Sequence, residues 1–339
     1  MIEYQCLQYK LRRMVGIRKK QQKYDVEYIL VACCTYKRAE FLKQALASLF
    51  AMKLPENIRT ELLIIDNDEF KSAFGIVKEF DDIGKIKINY VVEEERGLSN
   101  VRNRALKEAI RLGATHIAFV DDDETVDENW LVEHVKFYNA KDDIFVSSGP
   151  AYAKFDKKYP SYIMKNSVFR QSSSKEHGKI RKSCATNNVF FGLDIVSDNN
   201  LYFLGDFNFT GGEDGNFFER VTKKGYSIGW NEEAVAYEMI TEERANLKWI
   251  LTRKYYDGYM GSILRFKYNK ISVRKRMIYI LEKSVTVLGN VILAPISLLA
   301  GLTCFVNVVS LGAKSAGKLV GAISLKSIYY YKPQEEENV

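Results

Sequence analysis

The chain has 339 residues, 47% hydrophobic and 13% aromatic, enough apolar side chain for one large core or two modest ones and too much for a disordered polymer. Its formal charge of +7 is small beside 50 basic and 43 acidic residues, and the acids cluster where the bases do not, so nucleic acid is not an expected partner. Cys6, Cys33, Cys34, Cys184 and Cys304 show neither CxxC spacing nor nearby histidine pairs, which argues against a zinc site or disulfide framework and for a reducing, cytosolic setting.

Residues 1–24 are basic and include "KLRRMVGIRKK", with no apolar core of signal-peptide length, so this end is expected to stay inside the cell. As a helix it would present Lys10, Arg12, Arg13, Arg18, Lys19, Lys20 and Lys23, either to water or to an anionic membrane surface. From Tyr28 the pattern alternates between strand and helix. "YILVACC" reads as a buried strand and "AEFLKQALASLFAM" as a helix. "TELLIIDND" and "INYVVEEE" read as two more strands, "NVRNRALKEAIRLG" as a helix closed by Gly113, and "THIAFVDDD" as a fourth strand. The expected fold class is α/β with a mostly parallel, doubly wound sheet, in which ligands bind beyond the carboxyl ends of the strands.

Those ends carry a consistent polar set. Thr35, Tyr36 and Arg38 follow the first strand, Asp66, Asn67 and Asp68 the second, Glu93 to Arg96 the third, and Asp121, Asp122 and Asp123 the fourth. No GxGxxG follows the first strand and no GxxxxGK[ST] occurs, so a dinucleotide fingerprint and a P-loop are both unsupported. Carboxylates repel phosphate unless a divalent cation lies between them. The aspartate run therefore points to Mn2+ or Mg2+ shared with a diphosphate. Strand alternation predicts Asp121 and Asp123 on one face and Asp122 on the other. A turn or helix cap accounts for one aspartate, not three, and the spacing does not match an EF-hand loop.

The second constellation is "FTGGEDGNFFERVTKKG", Phe209 to Gly225. Its glycines permit close backbone approach, and its amphipathic second half predicts a helix with Glu213 and Asp214 in the first turn. A helix N-terminus stabilises carboxylates without any function. Paired with the aspartate run, however, a separate carboxylate for proton abstraction is what metal-assisted transfer to a hydroxyl requires. His116 and His134 read as packed or surface residues instead of ligands, and Cys33 and Cys34 as core residues. "SCATNNVFFG" reads as a strand on which Asn187 reaches the donor sugar or the acceptor.

"VACCTYKR", "LIIDND", "GLSNVRNRAL", "FVDDDE" and "TGGEDGNFFERVTKKG", in this order, resemble the inverting family-two glycosyltransferases of the GT-A fold, and most of all bacterial exopolysaccharide transferases of the succinoglycan-assembly type. The resemblance covers about residues 28 to 260, and "EAVAYEMITEERANLKWILTRKYYDGY" is similar to the segment closing the catalytic domain. It implies that Thr35 and Tyr36 line the nucleotide pocket, with Arg38 and Asp122 in the same donor-binding set. Asp66 would bind uracil, Arg102 would lie near the nucleotide, Asp121 would face the ribose or the metal, and Asp123 would ligate the metal. Asp214, or failing that Glu213, would be the general base. A histidine common in relatives near Glu238 is absent.

The domain plan that follows is a basic segment (1–24), a nucleotide-sugar-binding half (25–150), an acceptor-binding half (151–265) and a helical, membrane-associated region (266–339). The last contains "SVTVLGNVILAPISLLAGLTCFVNVVSLGA", Ser284 to Ala313, about 30 residues without a charge and enough to span a bilayer. Lys283 precedes it, and Lys314, Lys318 and Lys326 follow. A single span would export one basic flank, so a re-entrant or interfacial hairpin on the cytoplasmic side of the inner membrane is expected. Its partners would be a nucleotide-sugar donor, a glycan or lipid-linked oligosaccharide acceptor, and the membrane surface. The competing readings are a sugar-nucleotide pyrophosphorylase, whose glycine-rich loop "CCTYKRAEF" lacks, and a non-catalytic membrane-bound glycan-binding or scaffold subunit.

Overall fold

The structure is a computed structural model that describes residues 23–169, 176–269, 271–326 and 328. Most of the basic N-terminal segment and all of the tail "YYYKPQEEENV" lie outside the described residues. Within them, Lys23 faces the protein, its ammonium 3.9 Å from the centre of the Tyr138 ring and donating to the Lys141 carbonyl. That places this one cation away from any membrane-facing row.

The predicted alternation forms strands β1 (Tyr28–Thr35), β2 (Arg59–Asp66), β3 (Ile88–Val92) and β4 (His116–Asp121), with helices α1 (Ala39–Ala51), α2 (Phe74–Asp81) and α3 (Leu98–Arg111) between them. All four strands are parallel, in the order β3-β2-β1-β4. Apolar residues fill both faces of β1, as a doubly covered strand requires. Leu30 and Ala32 join the core under α3, whereas Ile29, Val31 and Cys33 join the core under α1. Helix α1 buries Leu42, Ala45, Leu46, Leu49 and Phe50, a stripe at helical spacing. His116 stacks on Phe190 and His134 bonds Ser147 and Asn188, so both histidines are core residues.

Beyond β4 come β5 (Glu124–Val126), α4 (Trp130–Asn139), β6 (Val146–Ser148), β7 (Ala151–Phe155), α5 (Ser161–Met164), β8 (Ile180–Arg181), β9 (Asn188–Gly192), α6 (Asp194–Ser197), α7 (Glu213–Lys223), β10 (Ile228–Trp230) and β11 (Ala236–Ile240). Strands β9, β6, β10 and β8 extend the first sheet to eight strands, with β9 antiparallel to β4. Residues 25–150 and 151–265 thus share one continuous sheet. A second sheet, β5-β11-β7, stands over the carboxyl end of β4 and sets Glu238 opposite Glu124.

The C-terminal region is a helical hairpin. Helix α8 (Leu247–Ile263) runs into a wider turn at Leu264–Tyr268. Helices α9 (Val273–Ser297) and α10 (Leu302–Ser324) then lie side by side, joined at Leu298–Gly301. Each arm is longer than half of the uncharged run because the helices continue through Arg274–Lys283 on one side and Lys314–Lys318 on the other. Pro295 falls in the last turn of α9, beside the hairpin bend, so the intrahelical bond lost with its N–H lies where the helix ends anyway. Helix α10 docks on α8 at glycines: a methyl group at Gly317 would lie 1.9 Å from the Tyr255 carbonyl oxygen, and one at Gly258 2.0 Å from that of Lys314. Only there do the two backbones meet so closely.

Candidate active site

Strand register brings the polar ends together. Thr35 pairs with Asp66, and Cys34 with Asp121, so the residues that follow β1, β2 and β4 open on one cleft. Asp66 is fully buried. Its Oδ1 accepts from the Asp68 amide (3.0 Å) and its Oδ2 from the Ala73 amide (2.9 Å) and the Tyr90 hydroxyl (2.7 Å). The carboxylate thereby shapes the turn after β2, and a base reaches it only if that turn shifts. Asn67 ties the same strand end to the β3–α3 loop, donating to the Glu93 and Glu95 carbonyls and accepting from the Gly97 amide. That loop delivers Arg96 onto Tyr36, with the guanidinium 3.5 Å from the ring centre and bonded to the hydroxyl.

Strand β4 ends at Asp121, and Asp122 and Asp123 form a turn before β5, so alternation stops two residues earlier than the sequence suggests. Arg38 spans the turn: Nη1 donates to Asp122 Oδ1 and Nη2 to Asp123 Oδ2, each at 2.7 Å. Thr35 adds a hydroxyl bond of 2.8 Å to Asp122. Asp123 Oδ2 accepts a second guanidinium, that of Arg244, at 2.7 Å, and Arg244 also holds Glu238 at 2.6 Å. Asp122, expected on the opposite face, therefore joins Asp123 on one arginine, because the chain turns there.

Asp121 faces the other way, toward Arg102. This guanidinium is buried at the start of α3 and touches three acids: Glu213 through a direct bond, Asp214 at 3.2 Å and Asp121 at 3.9 Å. Gly211 and Gly212 both have positive φ, 67° and 89°, which only glycine adopts freely, and the backbone there turns into α7 so that both acids open its first turn. The two carboxylates part in exposure: the Glu213 side chain is 5% exposed and that of Asp214 22%. Asp214 also accepts from the Thr186 hydroxyl at 2.9 Å. The two constellations read separately from the sequence thus meet on one arginine.

Electrostatically the cleft holds more negative charge than its arginines balance. Burial, with the like charge of Asp123 and against the opposing Arg38, pushes the Asp122 carboxyl up to about 6. Burial, then the charges of Asp123, Asp214 and Asp122 against Arg102, raises Asp121 to about 7, although its outer edge is 41% exposed. Glu213 moves upward through burial and the neighbouring Asp214, and Glu124 well upward through burial and Asp121. Glu124 Oε2 and Glu213 Oε2 are buried with no hydrogen-bond partner. Hard carboxylate oxygens in such a field suit Mg2+ or Mn2+ held by one or two aspartates and completed by phosphate oxygens. Among the described residues no three His, Cys, Asp or Glu side chains form a ready metal cage.

Four participants were not legible beforehand. Arg244 lies in the quoted closing segment, but nothing local shows that it returns to Asp123. Thr186 precedes Asn187 in a loop read as a strand, and Asn187 itself donates to Glu124 at 2.6 Å instead of facing the cleft as a free amide. Glu124 and Glu238 become partners only through pairing of β5 with β11.

Comparison with known proteins matches this architecture. Residues 30–193 fit the family described as Glycosyl transferase family 2. The succinoglycan biosynthesis protein ExoM of Rhizobium meliloti is 30% identical over 231 residues, 68% of this chain and 73% of ExoM. The glucosyl-dolichyl phosphate glucuronosyltransferase of Haloferax volcanii is 20% identical over 303 residues, covering 84% and 94% of the two chains. Among solved structures, the mannosyltransferase PcManGT of Pyrobaculum calidifontis, in complex with GDP-Man and Mn2+, superposes with a TM-score of 0.56 over 94% of this chain and 79% of its own, at 15% identity. The fold is GT-A-like, the pyrophosphorylase alternative falls away, and the chain belongs to glycosyl transferase family 2.

Proposed function

We propose that this glycosyltransferase moves a sugar, with inversion, from a uridine diphosphate sugar to a hydroxyl of a lipid-linked glycan in cell-surface polysaccharide synthesis, working at the cytoplasmic face of a membrane. The observation that carries this reading is the reach of Arg102, which holds Asp121, at the donor end of β4, and Asp214, at the start of α7, on one guanidinium. A diphosphate held by the aspartates then leaves its anomeric carbon in front of a separate carboxylate. Asp214, the more open of the two acids on α7, takes the proton from the attacking hydroxyl, and the Thr186 hydroxyl fixes its other direction. Arg102 is a positioning residue. Tyr36 and Arg96 wall the nucleotide pocket, while Thr35, Asp66, Asp122 and Arg38 shape it. Asp121 and Asp123 would hold a divalent cation, which would supply positive charge to the leaving diphosphate.

The acceptor class is supported by the hairpin. Residues Val273–Ala300 are long and apolar enough to cross a membrane, with a mean hydropathy of 1.6, and are almost wholly unburied. Leu299, at the bend, is 91% exposed. ExoM's name ties that relative to an exopolysaccharide, and the Haloferax relative's name to a lipid phosphate. The test is Asp214→Asn assayed with a panel of uridine diphosphate sugars and a lipid-linked acceptor, with and without Mn2+. Transfer should fall about 10²-fold or more while donor affinity changes little. Unchanged turnover moves the base to Glu213 or denies it. Absence of both donor hydrolysis and transfer in the unaltered chain would favour a glycan-binding subunit.

A further inference from the structure

Helices α9 and α10 do not close completely on each other. An apolar crevice of about 300 Å³ runs between them, lined by Val287, Val291 and Ala294 on one side and Val309, Ala313 and Ala316 on the other. It ends toward the catalytic domain at a group of cations from three helices. Lys283 lies one turn below Val287, Lys314 and Lys318 flank Ala316, and Lys254 comes from α8 beneath them. Lys254 is only 8% exposed. The ammonium groups of Lys254, Lys314 and Lys318 make no hydrogen bond or ion pair among the described residues. Of the acids nearby, Asp257 pairs with Arg253 at 3.1 Å and Glu282 with Lys283 of this group at 2.5 Å, which leaves the other three lysines for an anion. Burial first, and then the charge of Lys314, lowers the affinity of Lys254 and Lys318 for their protons, offset only in part by Asp257 and Glu282 respectively.

Building on the lipid-linked acceptor reading above, we infer that this crevice and its lysines form the acceptor's carrier site, taking one hydrocarbon chain between α9 and α10 and the phosphate or diphosphate headgroup on Lys254, Lys283, Lys314 and Lys318. Complementarity of charge selects the headgroup, since an apolar slot alone would accept any chain. The recess selects a carrier lipid over bulk phospholipid. Lys254 is nearly buried and lies one turn before Gly258, where α8 packs on the Lys314 and Lys318 backbone of α10, so this cation is recessed between helices. The same helix α8 leads to the reaction centre: a methyl at Gly212 would lie 3.3 Å from Met260 Cε, and one at Gly215 3.1 Å from Leu264 Cδ1. Gly212 and Gly215 bracket Asp214. A glycan attached to a headgroup on one face of α8 therefore has a short path along that helix to the base.

The full-length chain, in neutral detergent micelles, is offered geranylgeranyl diphosphate, phosphatidylglycerol or geranylgeraniol, and retained lipid is counted by native mass spectrometry. The diphosphate should be retained about tenfold or more over the other two. Lys314→Gln combined with Lys318→Gln should remove that advantage, and so should Ala294→Phe, which fills the slot from exposed α9. Thermal melts check that each variant folds, and the two routes are independent, so failure of one to fold leaves the other decisive. Equal retention of phosphatidylglycerol would mean a bilayer contact only and would overturn the proposal, as would equal retention of geranylgeraniol or indifference to both variants. Donor hydrolysis by the unaltered chain, measured in parallel, tests the transferase reading separately: hydrolysis without selective retention sinks this site and leaves that reading intact.

Discussion

Arg102→Gln is the substitution whose effect the structure specifies most fully. The guanidinium is buried, and it is the cationic partner of Glu213 and Asp214 among the described residues, with Asp121 at 3.9 Å. The geometry binds two carboxylates tightly and a third loosely. Removing one member of a buried ion pair typically costs about 3–5 kcal/mol, because the other charge stays behind without compensation. At pH 8 that full range applies, since both Glu213 and Asp214 are then asked to remain ionised side by side. At pH 5 the loss shrinks to about 1–2 kcal/mol, the value of the lost hydrogen bonds, because Glu213 can take up a proton.

The sign follows from linkage. Burial and Asp214 already raise the Glu213 carboxyl, and without Arg102 it rises further above its unfolded value of about 4.3. A raised carboxyl contributes its stability below the unfolded value and loses it as pH climbs through the folded one; both chains share the start of that loss, and the variant weakens relative to the parent as pH climbs past the parent's own raised value. Urea unfolding of both chains, ligand-free, at pH 5 and pH 8 measures this directly. A loss independent of pH, or one under about 1 kcal/mol at pH 8, refutes the idea that Arg102 holds the site's charge.

Other outcomes follow from neighbouring contacts. Nucleoside diphosphate binding should weaken on chelation and in Asp123→Ala, and calorimetry showing equal affinity with and without chelator would exclude a shared cation. Arg244→Gln frees Asp123 from one of its two guanidiniums, so Mn2+ alone should bind the ligand-free chain more tightly, by up to about tenfold, and unchanged affinity would count against competition at that oxygen. Gly317→Val drives a side chain into the Tyr255 carbonyl, so the hairpin should loosen from α8, with a loss of about 3 kcal/mol and new tryptic cuts near Arg265 and Lys267; an unaltered digest would show that the crossing is not rigid. Detergent should extract the chain from membranes where high salt does not, because salt screens lysines but leaves the apolar hairpin in place; release by salt alone would show that the hairpin is not inserted.

The first four strands were legible because each is a short apolar run with a polar residue at its carboxyl end, and a doubly covered parallel sheet leaves few other patterns. Helix α2 and strands β5, β6, β7 and β10 were not. The strands are three to five residues long, too short for any period to show, and pairing through β11 and β9 rather than local preference makes them. The hairpin was legible in outline from its flanking lysines. Its length was not, since charged turns at both ends continue helices that hydrophobicity alone would stop.

The aspartate run shows where local reasoning ends. Consecutive acids after β4 announce a cation, and the sequence contains nothing to say which cation holds them before a ligand arrives. The fold answers with guanidiniums from three separate places: Arg38 after β1, Arg102 on α3 and Arg244 after β11. Each bonds or faces acids from a different stretch of chain, so the arginines assemble only when the sheet, α3 and the small second sheet are all in place. Asp121, Asp122 and Asp123 are consequently divided by partner instead of by strand face. Asp121 is left the most open of the three and turned toward Asp214. A diphosphate with its cation entering this cleft would meet Asp121 first and would have to share Asp123 with Arg38 and Arg244. That exchange makes donor binding and local charge balance a single event, and it explains why an acidic strand end that looks unstable in sequence is tolerable in the folded chain.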